Sequence, residues 1–406
     1  MTHNKKNDNI IHMNNKYLIV NTGSASKKYA LYNKDGEIAF IHLENGDGGY
    51  LSTIKISGKS ETVKISKDDY DKSLNYLINE LKVKKVISGK SDISSVGIRV
   101  VAPGVYFQSN KIIDTKYINN LKAALKRAPL HLEIIFAEIK KCKLFFGTKT
   151  KIVGISDSEF HSTMPQKAKN YGIHSHDAEK FQIYRYGYHG ISASSIVNKL
   201  AKKGKIPNRT IICHIGGGVS VMAVKDGKSV ETSMGFTPLE GMIMANRVGD
   251  IDAGAVIYLS EVLKLQDLEL TQYFNKKCGL FGLSGGFSND IRELLKAEED
   301  NADVRATNAL DTYVYKIQKQ IGASFVALGG IDTLVFSGTV GERSYKMRKK
   351  ICKGLECLGI NIDHKINECM DGVDCVLNTK ESKVKIEVIK TDEMNQIAVE
   401  TQKILV

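Results

Sequence analysis

The 406-residue chain is short of most features that would assign it early. No stretch reaches the roughly 18 uninterrupted apolar residues of a membrane-spanning helix, so no membrane partner is expected. The segment Met1 to Lys16 is polar and rich in Asn and Lys, without the apolar stretch of a secretory leader. There are seven cysteines, an odd count with no paired C-x-x-C spacing, which encourages neither a disulfide framework nor a zinc site. They read as reduced thiols, mostly in the core, of a cytoplasmic protein. The net charge is +13, yet the lysines are scattered, with no long basic block and no interleaved aromatic motif. A solvated lysine-rich surface follows, and no nucleic-acid partner. Walker (G-x-x-x-x-G-K-[ST]) and strand-linked G-x-G-x-x-G motifs are also missing.

What is present is an ordinary globular composition, 42% hydrophobic and 25% charged, with length for two or three domains. Two stretches share one pattern. Tyr17 to Val20 is strand-like and stops at a small-residue loop, Gly23 to Ser26; a second strand, Lys28 to Tyr32, meets an Asn-Lys-Asp-Gly turn at 33–36, and a third runs Glu37 to Leu43. Later, Thr210 to His214 reaches Gly216-Gly217-Gly218, then Val219 to Val224, the turn Lys225-Asp226-Gly227, and Lys228 to Ser233. Strand, small-residue loop, strand, Asp-Gly turn, strand occurs twice, which implies two related domains. Helix spacing marks Leu74, Leu77 and Leu81, then Ile196, Val197 and Leu200 before a Gly204 stop. It also marks a long helix with Leu310, Val314, Ile317, Ile321 and Leu328 on one face, ending at Gly329-Gly330, which reads as a core or domain-interface helix. Asp332 to Phe336 reads as a buried strand entering a third loop, Gly338 to Gly341, followed by a helix from Ser344 to Leu355. Residues 1–13 offer nothing apolar to dock and are expected to be disordered.

Three glycine or serine loops, each after a strand, let backbone N–H groups approach phosphate oxygens unhindered. Around them lies a series of segments that resembles the acetate kinase family: Val20-Asn21-Thr22-Gly23-Ser24-Ala25-Ser26-Lys27-Lys28-Tyr29, Gly97 to Val101, Ala128 to His131, and Asp157 to Pro165. Arg185-Tyr186-Gly187-Tyr188-His189-Gly190 continues it, and Thr232 to Gly241 is its most specific segment. Arg247, Gly249 to Asp252, Asp290-Ile291-Arg292 and Thr391-Asp392-Glu393 complete an ordered resemblance over about residues 16 to 406.

The resemblance implies an α/β fold of duplicated actin-like (ribonuclease H-like) domains around a central nucleotide cleft. The expected division is 14–158 plus 390–406 for the first domain and 159–389 for the second. It implies reversible transfer of the ATP γ-phosphoryl group to acetate, with Mg2+ or Mn2+. Alternatives are a kinase preferring propionate, a donor other than ATP such as pyrophosphate, or a non-catalytic nucleotide-binding relative. Matched residue by residue, Asp157, His189 and Arg247 are the catalytic candidates, and Arg99, Val101, Leu130, Tyr188 and Pro238 bind the carboxylate substrate. Lys28, His214, Ile215, Gly216, Gly217, Gly218, Asp290, Ile291, Arg292, Thr339, Val340, Gly341, Glu342 and Arg343 take the nucleotide. Ser24 and Ser26 form the phosphate loop, and Asn21 and Glu393 serve the metal. A homodimer is expected, with apolar helices such as Leu310 to Leu328 available for its interface.

The chemistry agrees with these residue types. A carboxylate acceptor is already ionised, so transfer needs positioning and charge neutralisation more than proton removal. Planar guanidinium groups suit both carboxylate and phosphoryl oxygens. His131 and His161 read as structural. Tyr188 stands where the family usually has Phe, and its hydroxyl needs a partner or narrows the pocket. The third loop, AGIGEN in the family, reads Gly338-Thr339-Val340-Gly341-Glu342-Arg343 here. Thr339 at a glycine position leads to an expected shift in nucleotide preference, with the alternative that Gly338 has moved the flexible position by one residue and leaves ATP binding intact.

Overall fold

The computed structural model describes residues 16–23, 26–46, 48–125, 127–204 and 206–406, excepting the side chains of Leu130, His131 and Asn301. The terminal segment 1–13 and Ser24 therefore lie outside the described residues, as does the Leu130 side chain. The chain forms two compact units, Met1–Arg99 with Phe136–Gly154 and Ile397–Val406, and Val100–Ile135 with Ile155–Gln396. By packing, residues 100–135 and 155–158 and the start of the C-terminal helix, up to Gln396, thus group with the second unit.

In the first unit, β1 (Lys16–Thr22), β2 (Ser26–Asn33), β3 (Gly36–Gly46), β4 (Gly49–Ile56) and β5 (Lys59–Ile65) form an antiparallel meander. β6 (Ile93–Val100) lies parallel to β1, and β7 (Lys151–Ser156) follows, giving the order β5-β4-β3-β2-β1-β6-β7, with the two-residue strand Lys111–Ile112 as an eighth at the edge beyond β7. In the second unit, β8 (Arg209–Ile215), β9 (Val219–Lys225) and β10 (Lys228–Thr232) repeat the meander. β11 (Thr333–Ser337) is parallel to β8 and to β13 (Lys385–Val388), with the short β12 (Cys375–Val376) at the edge. The second order is β10-β9-β8-β11-β13-β12. The blocks β3-β2-β1-β6-β7 and β10-β9-β8-β11-β13 are the same arrangement twice, which is the duplication read from the sequence.

Burial follows strand position. β1, β8 and β11 sit mid-sheet and are buried on both faces, hence their continuous apolar runs. β5 is almost wholly exposed and correspondingly polar. The Asp-Gly turns form for local reasons. Asn33 Oδ1 accepts from the N–H groups of Asp35 (2.9 Å) and Gly36 (3.1 Å), closing the first hairpin. The second pairs Lys225 with Lys228 around Asp226-Gly227, whose φ values of 49° and 78° belong to the turn that matches strand twist.

The helices stand close to their expected places. Ser73–Val83 buries Leu74, Leu77 and Leu81, and Gly190–Lys202 buries Ile196, Val197 and Leu200. Val304–Leu328 starts at Asp303, whose carboxylate accepts from the N–H of Arg305 at 2.8 Å, and ends at Gly329. Its apolar face is buried in the second unit's own core, so it is not available for a dimer interface as expected. The third glycine loop is instead a short helix, Gly338–Arg343, and the helix after it is Tyr345–Cys352. All seven cysteines are free; Cys142, Cys213 and Cys352 are buried, Cys278 and Cys375 half-buried, and Cys357 and Cys369 exposed, so fewer than half are core thiols.

Candidate functional site

In the first unit, the parallel pairing of β1 and β6 sets their carboxyl ends side by side, where loops of such sheets present ligand-binding groups. Asn21, the penultimate residue of β1, is 8% exposed; Arg99 Nη1 donates to its Oδ1 at 3.4 Å. Lys28 lies opposite Asn21 on β2. The carbonyl of Ser26 accepts from Gly23 N–H at 2.8 Å and closes the turn. Lys27 is spent otherwise, donating to the Tyr70 carbonyl at 2.6 Å over that ring.

The second unit carries the denser cluster. His189 caps the start of helix Gly190–Lys202 in a left-handed conformation, φ 59° and ψ 21°. Such backbone is unusual outside glycine and needs surrounding restraint. Asp157, 1% exposed, supplies it: its Oδ2 accepts from His189 N–H at 2.8 Å and its carbonyl from Gly190 N–H at 2.9 Å. His189 Nδ1 meets Ser220 Oγ at 2.9 Å, and its ring lies 4.3 Å from that of His214. His214 Nδ1 in turn meets Ser192 Oγ at 2.9 Å. A methyl group on Gly218 would lie 3.1 Å from His189 Cε1 and Nε2 and 3.5 Å from Arg247 Nη1. The glycine loop thus lies directly against this His–Arg pair. Arg247 is steered by its bonds to the Pro238 carbonyl (3.3 Å) and Met244 Sδ (3.4 Å).

On its other side the same loop opens into a cavity of about 960 Å³. Gly216 and Gly217 line it together with Asp290, Ile291, Arg292, Thr339, Val340 and Arg343. Three separated sequence signals therefore converge on one wall. Asp290 also caps helix Ile291–Asn301, accepting from Arg292 N–H at 2.8 Å, and is bound by the exposed Arg292 guanidinium, which holds its carboxyl below the usual range. Ile215, Gly218, His214, Gly341 and Glu342 are not part of the cavity lining; Gly341 and Glu342 are buried. Glu342 Oε1 accepts from the N–H groups of Gly338 (3.1 Å) and Thr391 (2.9 Å), anchoring the short helix from below.

Among the acyl-pocket candidates, Tyr188 is 1% exposed and donates to the Phe236 carbonyl at 2.7 Å, so its additional hydroxyl has the partner it needs. Pro238 is buried in the same segment, and Val101 packs on this unit's core. That segment is fixed by Arg185, which donates to the Thr232 (3.1 Å) and Ser233 (3.0 Å) carbonyls and pairs with Glu240 at 2.5 Å. Tyr171 also bonds Glu240 and accepts from Phe236 N–H at 2.8 Å. His161 is fully buried between Ser229 Oγ (2.8 Å) and the Tyr188 carbonyl (3.1 Å), and burial lowers its pKa to about 4. It is structural, as read; the side chain of His131 is not described.

Glu393 opens the C-terminal helix Glu393–Leu405, and Asn21 is the penultimate residue of β1. Among the described residues no group of three or more His, Cys, Asp or Glu could hold a metal. The sequence reading missed Ser192 and Ser220, which orient the two histidines, and the cavity residues Ser344, Tyr345, Glu368, Met370 and Asp371. Only Ser220 had a legible signal, since two residues past Gly218 it pairs with His214 across β8 and β9.

Two sheets built to one strand order, with glycine turns at the carboxyl ends of their parallel strands, define a fold of the duplicated actin-like class. The family description that matches residues 16–399 is the acetokinase family. An acetate kinase of Thermoanaerobacterium thermosaccharolyticum is 37% identical over 402 residues, covering 96% of this chain and 99% of the relative. The crystal structure of Porphyromonas gingivalis acetate kinase superposes with TM-score 0.83 at 34% identity, covering 97% of this chain and 100% of that one. A propionate kinase structure from Francisella tularensis subsp. tularensis SCHU S4 gives TM-score 0.85 at 32% identity, with coverage of 96% and 99%. The chain belongs to the acetokinase family, whose members are kinases with a carboxyl group as acceptor.

Proposed function

We propose that the protein transfers the γ-phosphoryl group of ATP reversibly to acetate, giving acetyl phosphate and ADP. The observation that carries this reading is the Gly216–Gly218 loop, set between the cavity and the His189–Arg247 pair. The nucleotide occupies the cavity, and the backbone N–H groups of the loop meet its phosphates. An acetate oxygen attacks the γ-phosphorus, the bond to the β-phosphate oxygen breaks, and no proton need move. His189, held by Asp157 and Ser220, donates a hydrogen bond to the transferring group. Arg247 and Arg99 each neutralise charge on phosphoryl or carboxylate oxygens. Val101, Tyr188 and Pro238 enclose the acyl methyl group, and the resemblance assigns Leu130 to the same pocket. Lys28 and Ser26 serve phosphate. By the family resemblance Asn21 and Glu393 would serve Mg2+, and the ion would screen the charge of the ATP phosphates.

The test is hydroxamate trapping of acyl phosphate with ATP and Mg2+ across acetate, propionate and butyrate. Acetate should give the highest kcat/KM, and no trapped product with any acid would overturn the assignment. Propionate as preferred acceptor is the second reading, supported by similarity to the propionate kinase structure. The resemblance-based halves, 14–158 plus 390–406 and 159–389, remain our proposal for the evolutionary domains. A cytoplasmic setting fits an ATP-dependent enzyme with seven free cysteines. Among the described residues no helix is long and apolar enough to cross a membrane.

A homodimer belongs to the same proposal, with its surface moved from the Leu310–Leu328 face to helix Ala253–Leu263. That helix buries no residue in the single chain and exposes Ile257 (70%) and Tyr258 (65%) beside Val262, Leu263 and Leu268. A helix apolar on its outer side is unusual for an isolated subunit, and a second copy of itself is the occupant we assign. Sedimentation should give twice the 44.9 kDa chain mass, and Ile257→Lys with Tyr258→Glu should return it to the monomer value. A wild-type monomer at micromolar concentration would remove this part of the proposal.

A further inference from the structure

Among the described residues Arg348 is the largest fully buried side chain, with 0% of its surface exposed. An arginine withdrawn from water is normally matched by a carboxylate. Here all five guanidinium N–H donors go instead to neutral oxygens. Nε donates to Asn367 Oδ1 at 2.7 Å. Nη1 donates to the carbonyls of Gly341 and Glu342, both at 2.9 Å. Nη2 donates to the carbonyls of Asn367 (3.2 Å) and Met370 (3.1 Å).

These acceptors are not scattered. Gly341 and Glu342 lie in the last turn of helix Gly338–Arg343, and Asn367 and Met370 at the end of helix His364–Cys369. Carbonyls at helix ends lack intrahelical partners and carry the negative end of the helix dipole, so one cation satisfies both ends. Asn367 is held in the required orientation because its Nδ2 donates to the Tyr345 carbonyl at 3.0 Å. Gly372 N–H adds a second link, to the Glu342 carbonyl at 3.1 Å. Both stapled segments face the cavity: Thr339, Val340 and Arg343 from the first, Glu368, Met370 and Asp371 from the second.

We propose that Arg348 is a positioning residue for the nucleotide, fixing the spacing of the two short helices that wall the cavity. It touches no substrate. The inference rests on the nucleotide reading of the cavity given above. On binding, the two helices act as one piece, because any movement of one would strand donors shared with the other. Neither motif spacing nor helix periodicity marks Arg348, which in sequence is one more cation in a basic helix.

Hydrogen–deuterium exchange on the wild-type chain with and without ADP is the first test. ADP should slow exchange over 338–343 and 364–372 together. Protection of 338–343 with 364–372 unchanged overturns the role of Arg348 while leaving the nucleotide site in place. No protection at either segment, or at Gly216–Gly217, overturns the nucleotide reading itself. The second test uses Arg348→Lys, whose ammonium offers three donors for five acceptors, and Asn367→Ala, which keeps the cation and removes one acceptor. Each should raise KM for ATP and the calorimetric Kd for ADP by about tenfold for Arg348→Lys and about threefold for Asn367→Ala, with kcat and KM for acetate within about twofold. A folded variant with wild-type ADP affinity, or one whose acetate KM rises in parallel, would show Arg348 to be merely structural.

Discussion

The two units build one strand order and then use it differently. In both, a central strand turns back into an antiparallel hairpin while the fourth strand runs parallel beside it. In the first unit, that neighbourhood ends in polar side chains: Asn21 on β1, Arg99 on β6 and Lys28 on β2. In the second, the corresponding strands end in backbone: the Gly216–Gly218 loop after β8 and Gly338 after β11. The side chains there arrive from elsewhere, His189 from a helix start and Arg247 from an irregular segment. The scaffold supplies positions, and the loops decide whether a position offers charge or room. Charge removed from either unit should then impair catalysis, whereas added volume should matter only in the second.

The largest effect tests the charges. Arg99→Ala and Arg247→Ala should each lower kcat by about 10²–10³-fold, corresponding to about 2.7–4 kcal/mol of transition-state stabilisation, the range for losing a preorganised donor to developing charge. Circular dichroism would confirm folding. Near-normal turnover in both folded variants would remove the active-site assignment, and a loss confined to Arg247 would restrict charge handling to the second unit.

Next is the buried histidine of the second unit. Burial depresses the His161 pKa from 6.5 to about 4. Between those values the unfolded chain binds a proton that the native chain refuses, so the contribution is complete above about pH 6.5 and is lost on acidification. The loss by pH 4 is on the order of 3 kcal/mol. Urea unfolding of wild type and His161→Asn at pH 7 and pH 4.5 checks it: the variant should start less stable and fall less. Equal falls in both would mean that His161 is not the acid-sensitive group.

The volume comparison comes third. A methyl group at Gly218 would press on the His189 ring at 3.1 Å, whereas one at Gly23 would meet Ser26 O at an ordinary 3.8 Å. Gly218→Ala should lower kcat about tenfold and Gly23→Ala by less than about twofold, both with little change in Tm. Equal sensitivity would mean that the two turns carry equivalent demands after all.

These contrasts also explain what could be read from the sequence. Alternating and continuous apolar runs with Asp-Gly turns disclosed the duplicated hairpins, because side-chain burial and turn conformation act locally. Ordered motifs disclosed Arg99, His189, Arg247 and the three segments that meet at the cavity. The Leu310–Leu328 face read both as a core helix, which it is, and as a surface for a second chain, since an apolar stripe is the same whichever covers it. Tyr188 read as an unmet demand because its acceptor, the Phe236 carbonyl, lies 48 residues away. Arg348 was invisible because its five partners are mostly backbone, which no residue code records.

The smallest expected effect concerns Thr339, where the sequence led to an altered nucleotide preference. That expectation treated the position as one requiring glycine, and its alternative placed the flexible position at Gly338. The strained backbone lies one residue earlier: Gly338 has φ 76°, and a Cβ there would sit 2.7 Å from the Ile215 carbonyl oxygen. Thr339 follows inside the helix Gly338–Arg343, is exposed on the cavity wall, and is absent from the positive-φ positions of the described residues. A β-branched residue is tolerated in such backbone with a slight loss of helix propensity, and glycine is worse by a few tenths of a kcal/mol. Thr339→Gly should therefore leave the order of kcat/KM among ATP, GTP and pyrophosphate unchanged, each value within about twofold of wild type. Gly338→Ala in parallel should weaken ATP use by about tenfold, since it forces the helix start away from β8. A change of donor order in Thr339→Gly would return the specificity role to the threonine side chain, and an indifferent Gly338→Ala would show that the close approach to Ile215 is not what holds this wall in place.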